Sequence, residues 1–172
     1  MCIRDRPEVN PEDMKSYDGH ACATNCTVVP VVTPMIGMKS LGIKSVTIRT
    51  RQALSGAGWK LLFDAEALSG NVNPFIPQEE EKLIAELKYL LGIDVPVIAS
   101  CNRVSERDGH FVSVGVELSR ETTVEEVEEL MKIPTLGLPS SPKLVNEIID
   151  DSPTRQEYLW NGNGMTTTVG NI

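Results

Sequence analysis

Three short polar motifs hold the residues of this sequence that could perform chemistry. Cys26 lies in Asn25-Cys26-Thr27, Arg103 follows Cys101-Asn102, and His110 ends Asp108-Gly109-His110. A thiolate nucleophile needs a neighbour that lowers its pKa and a group that carries protons. Arginine can bind a carboxylate or phosphate through two parallel hydrogen bonds, and histidine titrates near neutral pH. Together the motifs predict a thiolate that works on a carbonyl, with all three side chains in one pocket.

Each motif also has an interpretation without chemistry. Cys26 could be a buried, inert cysteine, as is common for this residue type. Arg103 and His110 could belong to an exposed surface turn. A zinc site built on His20, Cys22 and Cys26 is disfavoured, because the Cys-x3-Cys pair has no second pair downstream. Only the combination of the three motifs favours a catalytic site, and we expect no metal.

The composition is that of one ordinary globular domain. With 172 residues, of which 41% are hydrophobic, the chain is too short for two substantial domains. The formal net charge of −8 argues against nucleic acid or an anionic membrane surface as the partner. No apolar segment approaches the ~20 residues of a membrane span. Four cysteines at uneven spacing predict reduced thiols in a cytoplasmic protein.

Strands and helices alternate along the chain and must position the motifs. Lys44–Gln52 has the alternating pattern of a strand and runs into small residues at Ser55–Gly58, where backbone could approach a ligand closely. The clearest helix is Pro77–Leu91, and its acidic first turn, 79–81, is interpreted as a solvated face. We also expect a short helix that begins at Asn25, as an N-cap, and ends or kinks at Pro34.

Two further strands flank the second and third motifs. Val95–Val104 and Phe111–Leu118 are joined by an Asp-Gly turn, so we expect an antiparallel hairpin. Such a hairpin would bring Arg103 and His110 to one end of the sheet. The chain then continues with a helix that has a capping box at Thr123 and with a strand-like run near its end.

These elements predict an α+β fold, a mixed sheet with helices packed on one face. No Gly-x-Gly-x-x-Gly occurs in the sequence, so we predict that this chain contains no Rossmann dinucleotide-binding unit.

In this order the segments resemble aspartate-semialdehyde dehydrogenase, particularly its archaeal and fungal branch. The resemblance runs from Pro7 to the last residue and implies the catalytic and dimerisation domain, 7–172. Most of the NADP-binding Rossmann domain and a C-terminal helix would be missing. Met1 to Arg6 lie outside the resemblance and are interpreted as a spurious leader. The matching stretches are Pro7–Asn10, Thr24–Thr27, Gln52–Gly58, Pro74–Ile76, Ser100–Val104, Asp108–His110 and Gly162–Met165.

The resemblance implies the NADPH-dependent reduction of L-aspartyl-4-phosphate to L-aspartate 4-semialdehyde, in lysine, threonine and methionine biosynthesis. Cys26 would attack the acyl phosphate and form a thioester as phosphate leaves, and His110 would be the acid/base group. Arg103 would bind the substrate α-carboxylate, Glu86 its ammonium group, and Gln52 would orient the thioester.

Further binding residues follow from the same resemblance. Asn25 and Lys88 would complete the substrate site. The candidates for contact with NADP are Ser55, Gly56, Asn163 and Gly164. The partners implied are the small-molecule substrate, phosphate and a second copy of the chain, as a homodimer or homotetramer.

The sequence departs from the family pattern beside Glu86. A lysine that meets the phosphate is expected three residues after this glutamate, but Tyr89 stands there and lysine is at Lys88. Glu86 itself could be an exposed helical partner of Lys82. Two other functions stay open: a sister reductase with the same thioester chemistry on an acyl-CoA, such as malonyl-CoA, and a catalytically inert dimerisation module.

Overall fold

The computed structural model describes the backbone of residues 2–15 and 17–172, and side chains from Arg6 onwards except residue 16. The strands are β1 Cys2–Asp5, β2 His20–Ala23, β3 Ile43–Gln52, β4 Val97–Arg103, β5 Phe111–Leu118, β6 Asn146–Ile149 and β7 Thr167–Gly170. The α-helices are α1 Pro11–Lys15, α2 Val29–Met38, α3 Trp59–Leu62, α4 Ala65–Leu68, α5 Glu79–Leu91, α6 Val124–Met131 and α7 Arg155–Tyr158. Short 3₁₀ turns lie at Lys39–Leu41, Leu54–Ala57 and Asn161–Gly164.

A three-stranded mixed sheet forms the centre of the fold. Its order is β4-β3-β5, with β4 parallel and β5 antiparallel to β3. Along β3 the side chains of Val46, Ile48 and Thr50 are buried, whereas Thr47 and Arg49 are exposed. Successive side chains of a strand point to opposite faces, so one face of the sheet is covered and the other is bare. The predicted α+β fold is confirmed.

The predicted hairpin of β4 and β5 is wrong, because β3 lies between these two strands. The loop after β4 crosses the end of β3, where Val104 N–H donates to Gln52 O at 2.9 Å and Leu54 N–H to Glu106 O at 2.8 Å. An Asp-Gly turn between two strands does not reveal whether a third strand fits between them. The intervening loop is long enough to pass two strand spacings, about 10 Å in total.

Helix α5 supplies much of the cover of the sheet. It begins at Glu79, two residues after the predicted start, and ends at Leu91 as predicted, with Gly92 following in a left-handed conformation at φ 61°. Leu83, Leu87 and Leu91 are fully buried on one side of the helix, each worth about 2 kcal/mol of apolar burial. They belong to one core cluster with side chains of α2, α6, β3 and β4. Burial of this apolar stripe fixes the helix against the sheet.

Helix α2 begins later than predicted and passes through Pro34. Asn25 closes only a tight turn, in which Val28 N–H donates to Asn25 O at 3.0 Å, and the helix starts at Val29. A helix that began at Asn25 would need a bond from the N–H of residue 30 to the carbonyl of Cys26, and Pro30 has no N–H. Pro34 costs a single intrahelical bond, and the helix continues because its residues from 31 to 35 are buried.

The remaining elements flank this core. Half of the predicted capping box is present, since the Thr123 hydroxyl accepts from Glu126 N–H at 3.3 Å at the start of α6. The Glu126 carboxylate accepts from Arg120 and from the Thr122 hydroxyl instead of completing the box. β6 and β7 form a parallel pair, and so do β1 and β2. Met1 of the predicted leader lies outside the described residues, and the boundary at Pro7 stays a prediction. Among the described residues, no helix has the length and apolar content that crossing a membrane requires.

Candidate active site

Four predicted site residues meet at one end of the central sheet. Gln52 ends β3, Arg103 ends β4 and pairs with it, and His110 immediately precedes β5. Cys26 reaches the same place from the turn before α2. Its Sγ lies 3.1 Å from His110 Nε2. The structure thus brings the thiol and the imidazole together, as the combination of motifs predicted. Arg103 and His110 also lie at one end of the sheet, although the hairpin expected to place them there does not exist.

The turn that carries Cys26 is held from both sides by hydrogen bonds. Asn25 Oδ1 accepts from the backbone N–H and the hydroxyl of Thr27, at 2.8 and 2.7 Å. Glu86 Oε2 accepts from the Thr24 hydroxyl at 2.5 Å and from Asn25 N–H at 2.6 Å. Glu86 is buried rather than an exposed partner of Lys82. In this structure its carboxylate anchors the cysteine turn to α5.

A backbone group fixes the tautomer of His110. Ala53 N–H, which can only donate, lies 3.1 Å from His110 Nδ1, so Nδ1 accepts. The proton of the neutral ring is then on Nε2, and it points at the sulfur of Cys26. Burial, followed by the positive charges of Arg103 and Arg155, lowers the pKa of His110, and the charge of Glu79 opposes this. The imidazole is therefore a neutral hydrogen-bond donor at neutral pH.

The pKa of the Cys26 thiol is raised, which corrects the expectation of an activated thiolate. Desolvation by the surrounding side chains is the largest cause, and the negative charge of Glu79 is the next. Backbone N–H groups of the turn and the charge of Arg103 lower the pKa but do not prevail. The helix dipole contributes little because α2 starts three residues further on and the effect falls off within one turn.

Arg103 is buried beside His110. Its Nη1 donates to Ala53 O at 2.7 Å, and burial lowers the pKa of the guanidinium. Gly56 lies against both side chains: a Cβ at this position would be 3.0 Å from Arg103 Nη1 and 3.1 Å from His110 Cε1. The small-residue turn predicted to let backbone approach a ligand instead lets it approach these two side chains.

Two cavities adjoin the site, so the predicted single pocket is divided. Cys26 and His110 line a groove of about 820 Å³ between α2, β5 and the last strand. Arg103 lines a smaller cavity of about 350 Å³ together with residues from the segment 57–77. The thiol and the guanidinium are neighbours whose open sides face different cavities.

Glu79 is a site residue that sequence reasoning missed. Its Oε1 accepts from Gln52 Nε2 at 2.9 Å and from Asn25 Nδ2 at 3.0 Å, and the side chain is buried. The acidic first turn of α5 was expected to be solvated. The available signal was periodicity, since Glu79 precedes Leu83 by four residues and so lies on the apolar side of the helix.

The remaining predicted residues are spread over several parts of the fold. Lys88 Nζ forms an ion pair with Asp94 at 3.1 Å, and Tyr89 Oη donates to Asp13 Oδ2 at 3.3 Å. Ser55 N–H donates to the carbonyl of residue 107 at 2.9 Å. Asn163 is exposed, with φ 59°, and the adjacent Gly164 lines the 820 Å³ groove.

Among the side chains that the structure describes, those of residues 6–15 and 17–172, no three His, Cys, Asp or Glu are grouped to hold a metal ion. His20 and Cys22 lie on β2, whereas the Cys26 sulfur faces His110. The structure thus offers no support for the zinc interpretation.

Known proteins match most of this chain. The family model described as semialdehyde dehydrogenase, dimerisation domain, matches residues 32–172. An aspartate-semialdehyde dehydrogenase of Archaeoglobus fulgidus is 37% identical, over 96% of this chain and 54% of its own length. One from the fungus Trichophyton rubrum is 31% identical, over 88% of this chain and 48% of its own.

Solved structures agree in fold. A crystal structure of aspartate semialdehyde dehydrogenase with NADP from Candida albicans has a TM-score of 0.77 and 26% identity, and the match covers 99% of this chain and 57% of that one. The chain thus spans about half the length of the relatives it matches.

Proposed function

Because this chain belongs to the semialdehyde dehydrogenase family, we propose that Cys26 is an acyl-accepting nucleophile in the reduction of L-aspartyl-4-phosphate to L-aspartate 4-semialdehyde. The observation that carries the proposal is the contact of 3.1 Å between Cys26 Sγ and His110 Nε2, in a groove open to a ligand. A cysteine beside an oriented histidine is the arrangement that covalent acyl transfer uses. The matched relatives are named for this enzyme.

The acylation step follows from the tautomer of His110. The thiol of Cys26 loses its proton to solvent, and the resulting thiolate accepts the Nε2–H hydrogen bond. The thiolate attacks the carbonyl carbon of the acyl phosphate, and the oxyanion of the tetrahedral intermediate takes over the same hydrogen bond. The intermediate collapses with cleavage of the C–O bond to phosphate, which leaves as an anion and needs no proton. Cys26 is then a thioester.

The substrate contacts are proposed on the same premise. Arg103 would bind the α-carboxylate through guanidinium nitrogens other than Nη1, which Ala53 O already occupies. The substrate would then have to reach from the groove at Cys26 to the guanidinium, which lines the smaller cavity. Gln52 and Asn25 orient the acyl group beside the sulfur. Glu86 stabilises the cysteine turn and contributes negative charge towards the substrate ammonium. Lys88 would have to leave its ion pair with Asp94 to meet the phosphate.

The residues of this chain fit NADP poorly. The side chains of Arg103 and His110 occupy the space beside Gly56, where the cofactor was expected to approach the backbone. The sequence also has no glycine-rich turn that could bind a diphosphate. When bound, NADPH would supply the hydride that reduces the thioester, and we propose that it is held mainly outside this chain. Of the predicted cofactor residues, Gly164, on the wall of the groove that holds Cys26, has the most favourable position.

Acylation of the cysteine is the direct test, because it needs no nucleotide. The purified chain is incubated with aspartate, ATP and an aspartate kinase that generates aspartyl phosphate. After proteolytic digestion, the mass of the peptide that contains Cys26 is measured by mass spectrometry. We expect the mass of an aspartyl thioester on this peptide, none in Cys26→Ala, and unchanged acylation in the matched control Cys22→Ala. Absence of the adduct in the folded wild-type chain would contradict the proposal.

The acyl-CoA alternative is tested in the same assay with malonyl-CoA as donor. A buried arginine and two carboxylates around the thiol favour an amino-acid substrate, which carries both charges. A malonyl adduct that forms faster than the aspartyl adduct would identify the chain as a sister reductase. An unreactive Cys26 with both donors would favour the inert dimerisation module.

We further propose that a second copy of the chain covers the bare face of the central sheet. The matched family is described as a dimerisation domain. This face presents Ile98, which is 67% exposed, and Arg51, whose guanidinium lies 5.6 Å from the centre of the Phe111 ring. Ile98→Glu should convert the dimer to monomer in light scattering, whereas Leu138→Glu, at an exposed leucine off the sheet, should not. A dimer that persists in Ile98→Glu would contradict this assignment.

A further inference from the structure

The loop between β4 and β5, residues 104–110, carries His110 and is held from two sides. On one side, backbone hydrogen bonds join it to the residues that follow β3, as when Leu54 N–H donates to Glu106 O at 2.8 Å. On the other side it meets α7, and there side chains make the contacts. The placement of His110 therefore depends on two distant parts of the sequence.

Arg155, the first residue of α7, contacts this loop at two points. Its Nη2 lies 2.7 Å from Glu106 Oε1, an ion pair. Its Cδ would lie 3.0 Å from a Cβ at Gly109, the residue before His110, and Leu159 Cδ1 would lie at the same distance. Gly109 has φ 83°, so a side chain there would be both strained and crowded. One arginine thus fixes the loop at Glu106 and again next to the imidazole.

We propose that Arg155 is a positioning residue for His110, which holds the loop so that Nε2–H stays directed at the sulfur of Cys26. This inference rests on the proposed acyl transfer and assigns a role to a residue that neither the sequence motifs nor the resemblance singled out. The contact that the loop must maintain is the one of 3.1 Å between imidazole and sulfur. Arg155 lines the same groove as these two side chains.

Stability alone would not explain an arginine at this position. The ion pair joins the side chains of Arg155 and Glu106, which are 20% and 50% exposed, and exposed pairs contribute little to stability. The Nη1 of Arg155 is buried, and none of the described residues offers it a hydrogen-bond acceptor. A buried donor without a partner costs more than an exposed ion pair returns. The benefit of the side chain therefore lies in where it places the loop.

Arg155 also brings a positive charge towards the imidazole. Burial, followed by the charge of Arg103, lowers the pKa of His110, and the charge of Glu79 opposes them. The charge of Arg155 lowers this pKa further, and the thiol of Cys26 also faces the ring. A positive charge disfavours protonation of its neighbour, so removal of Arg155 should raise the pKa of His110.

Two variants, Arg155→Gln and Glu106→Gln, break the same ion pair and separate position from charge. Acylation of Cys26 by aspartyl phosphate should fall roughly tenfold in each, because the imidazole is displaced. The double variant should lose little more, since the two residues act as a pair. In an NMR titration with His20 as internal reference, the midpoint of His110 should rise in Arg155→Gln and stay near that of the wild type in Glu106→Gln. A general loosening of the fold would shift both midpoints alike.

Arg120→Gln is the matched control, since it removes an arginine from another exposed ion pair, the one with Glu126. Neither the acylation rate nor the His110 midpoint should change in it. Arg155→Lys keeps the charge and can still pair with Glu106, so it should recover most of the lost rate. If Arg155→Gln does not fold, Glu106→Gln decides through its acylation rate.

Unchanged acylation in either folded glutamine variant would overturn the positioning role, and so would losses that multiply in the double variant. An unchanged His110 midpoint in folded Arg155→Gln would contradict the placement of this charge beside the ring. If the wild-type chain is not acylated at all, the proposed function fails. The NMR signals of the His110 ring, which should shift in both glutamine variants, would then still decide whether Arg155 holds the loop.

Discussion

The two faces of strand β3 differ in burial, although they belong to the same ten residues. One face packs Val46, Ile48 and Thr50 under α2 and α5 and ends in Gln52 at the candidate active site. The other presents Arg49 and Arg51 on a surface that no helix of the described chain covers. The two-residue period of a strand thus lets β3 contribute to the candidate active site with one face and to the proposed dimer interface with the other. Substitutions on the two faces should therefore affect different properties.

The largest difference between the faces should appear at His110. Removing the imidazole in His110→Ala deletes the donor to the thiolate and to the oxyanion, so acylation of Cys26 should fall about a thousandfold. Arg49→Gln, on the bare face, should leave the acylation rate unchanged. Both rates are read from the mass of the Cys26 peptide over time. A similar loss in both variants would show that the faces are not functionally separate.

The next largest difference between the two faces should appear in the free energy of unfolding. Leu87 is fully buried under the sheet, and Leu87→Ala should lower the free energy of unfolding by about 2–5 kcal/mol, since the cavity adds to the lost transfer energy. Ile98→Ala on the bare face should cost less than about 1 kcal/mol in the monomer. Urea unfolding followed by circular dichroism measures both. Equal losses would place Ile98 in a packed core rather than on a free surface.

Two glycines give a smaller and more local comparison. A Cβ on Gly56 would press on Arg103 and His110, whereas a Cβ on Gly115 of β5 would have Thr47 Cβ, at 3.9 Å, as its nearest contact. Gly56→Ala should raise the substrate concentration for half-maximal acylation several-fold and cost about 1 kcal/mol of stability. Gly115→Ala should change neither by a measurable amount. Tolerance of Gly56→Ala would mean that the backbone there yields easily.

The smallest expected effect concerns the pH dependence of the alkylation of Cys26. The pKa of Cys26 is raised, so only a small fraction is thiolate at neutral pH and this fraction grows with rising pH. The alkylation rate of Cys26 should increase tenfold per pH unit through neutrality and level off later than that of a free cysteine peptide. A plateau at or below the midpoint of the peptide would contradict the raised pKa.

Local patterns predicted the individual elements well. The alternation in Lys44–Gln52 and the apolar stripe of Pro77–Leu91 each lie within one element, and both elements formed as expected. The start of α2 was misjudged because the capping preference of Asn25 was weighed without the missing N–H of Pro30. That error was local and could have been avoided.

The candidate site was predicted in composition but not in arrangement. Cys26, Arg103 and His110 were identified by residue type and motif, and the approach of Arg103 to His110 was expected from a hairpin that does not exist. They meet because β3 separates β4 and β5 while all three strands bring their site residues to one end of the sheet. No local signal indicates which strand lies between two others, since strand order depends on pairings between distant segments.

The sequence by itself determined which side chains were available for chemistry and which segments would be strands or helices, because those preferences act over a few residues. Only the tertiary structure decided that Glu79 would meet Asn25 and Gln52, which are 54 and 27 residues away along the chain. It also decided that the pKa of Cys26 would rise rather than fall. The pKa of a group depends on the burial and charges around it, and distant residues supply both only once the chain has folded.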